Sequence, residues 1–570
     1  MMLKKRAIYF FLSIIYCMST FEVHADDSYQ SDSCDDQFSA EYLIVGGGTA
    51  GCVLARRLSE KHSVILLEAG LIQDNDPLIS NPLNNGNLVL GSTNEFFMPL
   101  GHSLFGRAFD NRRFAGVAGE LLGGGSSVNG MQYVRGTKAF YAAWEALVDD
   151  NSWGPKNAFK EFKRIETFNG VPNEYDPEAH GEHGPIDIRQ ATANLPASNN
   201  FVHAIVEQGY PGPIDYNDPK SPIGAFAYWQ LTEKPNKMRE SSSTAYLQGY
   251  LKKKSCNLYI SKNGNLQLYT KAHADKILFE NENHCHATAK GVRAVINGNQ
   301  MEFFAKRKVI ICSGVLQTPI LLQDSGIGDE ELLKRLCIPV VRNNPNVGRK
   351  IFNHPIITLT GIGDVPPPDS GSDNDPEGLY AGGAFLPDPT KLNDKDRSFE
   401  LIGIASPNTE HPDSGAFTIA TLLLSAESSG YIRSYNSDFF RMPEFDFNYL
   451  GKQEDIDSLV AAYKIMYRTL LNMNLLPLGP LPTDNQAVIN YVTSTYSQAY
   501  HWVAPCNMSK DERRGVVNSE GEVFGVRNLI VADNSIVPLN ARGNTAATAF
   551  LIGNIISNQL LDKEKHHHSF

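Results

Sequence analysis

The chain has 570 residues, 42% hydrophobic and 20% charged, which is the balance of a globular protein too long for one ordinary core. A formal charge of −12 argues against nucleic acid or an anionic membrane as the main partner.

Residues 1–25 read as a secretory signal peptide. Lys4-Lys5-Arg6 forms a basic start, the run from Ala7 to Tyr16 is apolar but too short to span a bilayer, and Val23-His24-Ala25 puts small residues ahead of a cleavage point at Asp26. The expectation is an exported protein, periplasmic or extracellular, with no integral membrane segment after cleavage.

Tyr42-Leu43-Ile44-Val45 predicts a buried strand, Cys52 to Leu58 a helix, and Ser63 to Leu67 a second strand ending at Glu68. The turn between the first two is Gly46-Gly47-Gly48-Thr49-Ala50-Gly51. Gly46 permits the tight turn, Gly48 lets the backbone approach a pyrophosphate, and Gly51 lets helix and strand pack closely. Thr49 and Ala50 open the helix, whose free N–H groups favour phosphate, and Glu68 stands where a ribose needs an acceptor. The pattern predicts a dinucleotide-binding unit.

A second glycine-rich segment runs from Gly119 through Gly123-Gly124-Gly125-Ser126-Ser127-Val128-Asn129-Gly130 to Met131. So many glycines suit backbone lying directly against a flat or anionic ligand. A third runs from Ser313-Gly314 to Gly326-Ile327-Gly328 after the strand-like Lys308-Val309-Ile310-Ile311-Cys312, giving another strand-turn-helix.

Cysteine usage leaves Cys52 and Cys312 buried and reduced, while Cys34, Cys256, Cys285, Cys337 and Cys506 could include a bridge in an oxidising compartment. His284-Cys285-His286 reads as part of a solvated loop, His566-His567-His568 as an exposed end, and no metal site is expected.

The three glycine-rich segments resemble those of the glucose-methanol-choline oxidoreductase family, which uses FAD. Asn346-Val347-Gly348, Asn353-His354-Pro355, the run from Val531 through Asp533 to Pro538, and Gly543-Asn544-Thr545-Ala546-Ala547-Thr548 extend the resemblance from about Ala40 to Leu561 in the family's order. It implies an α/β fold (α+β overall): a Rossmann-like FAD-binding domain with an inserted sheet-plus-helix substrate-binding domain. The FAD-binding domain would comprise residues 40–166, 230–352 and 501–561, and the substrate-binding domain residues 167–229 and 353–500.

By the same resemblance, main-chain groups around Gly124 and from Ser127 and Val128 through Asn129, Gly130 and Met131 contact the flavin. A strand from Thr270 to Ile277 places Ala274 near the adenine side. Asp533, Asn544 and Thr545 hold the ribityl and isoalloxazine end. Some members attach flavin covalently through a histidine where this chain has Val128, so FAD here is expected to be non-covalent.

Oxidising an alcohol requires removal of the hydroxyl proton as hydride leaves carbon for flavin N5. Imidazole suits the proton step, and a second polar group must hold the oxygen as charge develops on it. The resemblance assigns His501 as general base and Asn544 as its oxygen-positioning partner. Two departures stand out. Ala504-Pro505 replaces the usual Gly-Thr, and proline should restrict Ala504 to an extended conformation; Glu120 replaces a usual basic residue and would repel a pyrophosphate unless turned away.

Ala225-Phe226-Ala227-Tyr228-Trp229 reads equally as a pocket-facing or a core strand. With Trp502, its aromatic rings would favour an apolar or aromatic substrate. Residues 361–394, rich in Pro, Gly, Asp and Ser, read as a long surface loop over the site. The expected function is oxidation of a CH–OH group to aldehyde or ketone, with oxygen or a quinone or cytochrome as acceptor. Alternatives are a lyase of the hydroxynitrile-lyase kind that keeps flavin as structure, and a flavin-binding protein whose catalysis has decayed.

Overall fold

The computed structural model describes residues 38–84, 97–102, 115–280, 287–367, 380–408, 411, 414–435 and 443–567. The leader, Cys34 and the segment His284-Cys285-His286 lie outside them.

Hydrophobic residues on both faces make the first strand, Ser39–Val45, a central one. It pairs in parallel with Val64–Glu68 on one side and Asn299–Ile311 on the other. Leu266–Thr270 continues the parallel order beyond Val64–Glu68, and Leu529–Val531 lies beside Asn299–Ile311. Antiparallel strands extend both ends, giving ten strands among the described residues. The helix Thr49–Leu58 covers this sheet and packs on Ala546–His567. Gly553 makes that contact close, because a Cβ there would lie 2.8 Å from the Ala50 carbonyl oxygen. Arg57 then stitches the helices together, donating to the Asn554 carbonyl, Ser557 Oγ and Asn558 Oδ1.

A second sheet is antiparallel, with seven strands among the described residues. Pro355–Gly363, Gly415–Leu423, Phe399–Ser406 and Tyr380–Leu386 form its body, and Ala225–Phe226 adds one edge. The helices Leu195–Val206, Gln453–Asn472 and Asn485–Thr495 pack on it. Among the described residues no helix is long and apolar enough to cross a membrane.

Several expectations are corrected. Residues 361–394 are not one long loop. Residues 361–363 close the strand Pro355–Gly363, and Tyr380–Leu386 is an almost wholly buried strand. Its small residues, misread as loop composition, make room for rings: a Cβ on Gly383 would lie 2.5 Å from both Phe226 and Trp229. Of the stretch from Ala225 to Trp229, all but the half-buried Tyr228 is therefore core. Phe226 and Trp229 are fully buried among Tyr216, Phe385 and Tyr380, and Trp229 Nε1 donates to the Gly382 carbonyl. Trp502 is buried too, stacked on Phe447, so Phe226, Trp229 and Trp502 supply no argument about substrate. The strand expected from Thr270 to Ile277 is broken at Lys271, whose φ of 54° separates Leu266–Thr270 from Ala272–Glu280. Cys52, Cys256, Cys312, Cys337 and Cys506 are all free thiols, so none of them is bridged.

Candidate active site

The glycine turn closes at the C-terminal end of the parallel strands. Gly46 has a φ of 98°, and a Cβ there would lie 2.4 Å from the Cys312 carbonyl oxygen. A Cβ on Gly51 would lie 2.0 Å from the Gly46 carbonyl oxygen, so both positions admit only glycine. Gly48 differs: the nearest atom to a Cβ there is Cys312 O at 3.7 Å. As N-cap of the helix it carries no side-chain cap, leaving the N–H groups of the first turn, Thr49 to Gly51, uncapped by a side chain.

The second glycine segment lies directly against the first. Gly123 N–H donates to Gly47 O at 2.7 Å, Thr49 Oγ1 to Gly123 O at 3.4 Å, and a Cβ on Gly124 would meet Gly48 Cα at 2.9 Å. Ser127 Oγ caps Leu122 O, and Val128 packs with Ile79 and Leu121, presenting no nucleophile. Gly314 opens the third segment with φ 84°, and among the described residues nothing lies within 4 Å of its missing Cβ. Gly314, facing open space, and Gly48, with nothing closer than ordinary contact, stand beside an uncapped helix start and form a cradle that fits the backbone approach and anionic bridge of FAD.

Glu68 ends its strand buried, accepting from Gly47 N–H at 2.7 Å and Gly70 N–H at 2.8 Å. Burial raises its pKa, partly offset by those two bonds, with the Glu120 charge adding to the rise. Glu120 itself is turned toward His273, Oε1 lying 3.5 Å from Nε2. Ala274 is buried in the strand that carries His273, paired with Ala294.

Asn129 to Met131 are held by a side chain that sequence reasoning missed. Arg239 Nη1 donates to the Asn129 carbonyl and to its Oδ1, and the Asn129 Oδ1 also accepts Met131 N–H. Gly130 O accepts from Tyr380 Oη, and Met131 sits at φ 65°. Asp533 ties the third segment to the closing one. Its carboxylate accepts from Gly314 N–H, Thr318 Oγ1 and Ser535 N–H, so its oxygens are engaged within the protein. Thr545 O accepts from Asn534 Nδ2.

His501 and Asn544 come together. His501 is partly exposed, and its Nε2 lies 3.3 Å from Asn544 Nδ2. Burial, with His354 beside it, pushes the His501 pKa well below the usual histidine range. The two amide orientations of Asn544 are not equivalent: with Nδ2 toward His501 and Gln132 its oxygen faces the Glu400 carboxyl oxygens, and the turned-over amide removes that clash of acceptors. In one, Nδ2 donates to Gln132 Oε1 at 3.3 Å; turned over, Nδ2 donates to Glu400 at 2.8 and 3.3 Å and the oxygen faces Gln132.

Glu400 had no signal as a site residue beyond its residue type, and His354 was visible only as part of the Asn353-His354-Pro355 motif, which carried no site role. Glu400 is fully buried in Phe399–Ser406, and burial raises its carboxyl to about 8 against the opposing pull of Arg397 and Asn544. His354 is fully buried, its pKa pushed down to about 4 by burial. Its Nδ1 lies 3.0 Å from His501 Nδ1 and its Nε2 2.9 Å from Ala541 O.

The segment around His501 departs from expectation. Ala504 is not extended but sits at φ 87°, and Tyr500 at φ 59°. The proline does not impose its usual bias because both sides of it are anchored. Ala504 N–H donates to Asn534 O at 3.3 Å, and Pro505 O accepts from Gly348 N–H at 2.7 Å.

Residues 40–356 and 426–553 match the two GMC oxidoreductase family models. The chain is 29% identical over 559 residues to the oxygen-dependent choline dehydrogenase of Staphylococcus xylosus, covering 92% of this chain and 95% of that one. It is 30% identical over 553 residues to an alcohol dehydrogenase (acceptor) of Pseudomonas putida, covering 90% and 94%. The crystal structure of formate oxidase superposes with a TM-score of 0.80 at 22% identity, over 93% of this chain and 99% of that one. With glycine turn, acid, cradle and histidine all in one chain of this shape, the protein belongs to the GMC oxidoreductase family and is an FAD-dependent oxidoreductase.

Proposed function

We propose that this protein is an exported alcohol oxidoreductase in which His501 is the general base. The observation that carries the reading is the juxtaposition of His501 Nε2 and the Asn544 amide, 3.3 Å apart, brought together from separate segments of the chain. The relatives named as a choline dehydrogenase and an alcohol dehydrogenase support a CH–OH substrate.

Bound FAD, held without a covalent bond because Val128 offers no nucleophile, supplies the acceptor for hydride. The chain's own groups handle the proton. His501 Nε2 takes the hydroxyl proton, helped by a pKa low enough to keep the ring neutral when substrate arrives. Asn544 Nδ2 holds the oxygen as it becomes anionic, a donor worth about 3 kcal/mol when preorganised. Once Nε2 carries the proton, the turned-over amide suits it: Asn544 Oδ1 then faces His501 and Nδ2 donates to Glu400. The product is an aldehyde or ketone.

The test is anaerobic absorbance during a screen of alcohols, choline and benzyl alcohol among them. Bleaching of the flavin band near about 450 nm supports the reading, and His501→Ala should slow it about 100-fold or more. Undiminished bleaching in His501→Ala refutes the base. A flavin that no alcohol bleaches, with release of aldehyde and cyanide from a cyanohydrin, refutes the oxidoreductase reaction in favour of a lyase. Export rests on residues 1–25, and a mature protein whose first residue is Asp26 is the expected readout.

A further inference from the structure

We infer that His354 is a positioning residue that selects the tautomer of His501, placing the His501 proton on Nδ1 and leaving Nε2 bare toward Asn544. The inference rests on the reading of His501 as the base. It begins at a group with no choice: a main-chain carbonyl only accepts, so His354 Nε2, 2.9 Å from Ala541 O, is the donor. The His354 ring is wholly buried and pulled down to about 4, so it is neutral in any ordinary buffer. A neutral imidazole has one N–H, which leaves a lone pair on His354 Nδ1. That lone pair faces His501 Nδ1 at 3.0 Å. Two lone pairs do not face each other at that distance, so His501 Nδ1 donates. The free nitrogen of His501 is then Nε2, the one that lies against Asn544.

The two rings are not left to find each other. Asn353 Oδ1 accepts both His354 N–H at 2.9 Å and His501 N–H at 2.8 Å, and Asn353 Nδ2 is itself bonded to Tyr449 Oη. Phe352 and Val503 pair through both main-chain bonds just beyond, at 3.1 and 3.2 Å. Both imidazoles therefore hang from one clamp, and the rings meet nearly edge to face, with 81° between their planes. In another catalytic histidine system, loss of the group that fixes the tautomer lowers kcat about 10⁴-fold although the geometry survives.

Two substitutions separate this from a purely structural duty. Asn at position 354 can set its Oδ1 where Nδ1 stood and still accept from His501, but it cannot reach Ala541 O. Gln can set its Nε2 where the ring Nε2 stood and still donate to Ala541 O, but it offers His501 nothing. In the holoenzyme, with benzyl alcohol and choline as probes, His354→Asn should keep kcat of flavin reduction within about tenfold of wild type. His354→Gln should lower it about 100-fold or more with KM little changed. The reverse order, with Gln the better variant, overturns the inference.

A wild-type measurement covers the case in which neither variant folds with FAD. The 15N shifts of the His501 ring in labelled holoenzyme, assigned by their loss in His501→Ala, should show a protonated Nδ1 and a bare Nε2. A protonated Nε2 with a bare Nδ1 overturns the inference. The two levels fail separately: full flavin reduction in His501→Ala removes the base, whereas the ring tautomer tests the hold of His354 on it.

Discussion

Replacing Ala504 with glycine should cost distinctly less stability than the same change at an equally buried alanine, and the balance extends into net stabilisation. Ala504 is fully buried, and its φ of 87° lies beyond the left-handed window an L residue tolerates. Holding a residue with a Cβ there costs about 1–3 kcal/mol, and glycine removes that cost. Against it stand about 0.8 kcal/mol for the buried methyl group and about 0.5–1 kcal/mol for the extra freedom of an unfolded glycine. The balance runs from about 0.8 kcal/mol destabilising to about 1.7 kcal/mol stabilising. Ala294, equally buried in the strand Ala287–Ile296, has no left-handed strain to relieve. Ala294→Gly should lose about 1.5 kcal/mol from the same methyl and entropy terms. The assay is denaturant unfolding of the holoenzyme and both variants, compared by midpoint at unchanged slope. The reasoning fails if Ala504→Gly loses as much stability as Ala294→Gly.

The two glycines of the turn should separate in effect. Gly51→Ala drives a methyl to 2.0 Å from a carbonyl oxygen and should abolish folded holoenzyme, while Gly48→Ala should fold yet bind FAD at least about tenfold more weakly, read by titrating apoprotein with FAD and following flavin fluorescence. His180 sits buried between Asp215 and Glu166, and their hydrogen bonds outweigh burial to raise its pKa. Its contribution is therefore complete below the unfolded value of about 6.5 and fades as pH rises through the raised folded value. His180→Ala should cost about 3–5 kcal/mol near pH 6 and distinctly less at pH 9; an equal cost at both would refute the charge pairing. Glu400, raised to about 8, takes up a proton on folding between its unfolded value of about 4.3 and 8, so ionisation erodes stability across that window. Glu400→Gln should exceed wild type in unfolding free energy at pH 8.5 and lose that advantage near pH 5; a constant difference across pH would refute it.

Much of the cradle was legible because its constraints are local. A strand, a glycine turn and a helix N-terminus occupy consecutive residues, and the spacing of Gly46, Gly48 and Gly51 is set by backbone contacts a few residues away. His501 and Asn544 were found through their register with Asp533, and the structure sets them side by side. Composition failed where a neighbour from elsewhere decided the outcome. Tyr380–Leu386 looked like loop because its glycines are ordinary turn residues, yet they are small to receive Phe226 and Trp229. Ala504 looked extended because a proline follows it, yet bonds to Asn534 and from Gly348 to Pro505 hold it left-handed.

Short-range spacing and motifs in a fixed order thus carried the fold class, the flavin cofactor, the glycine segments and the register of His501 with Asn544. Tertiary structure alone decided which groups stand behind that pair. His354 reaches His501 across 147 positions of chain and Gln132 reaches Asn544 across 412, because the order of strands in a sheet is not the order of residues in a sequence. The protonation of Glu400 and the tautomer of His501 follow from that long-range meeting, since burial and a neighbour's lone pair exist only after the chain has closed around them.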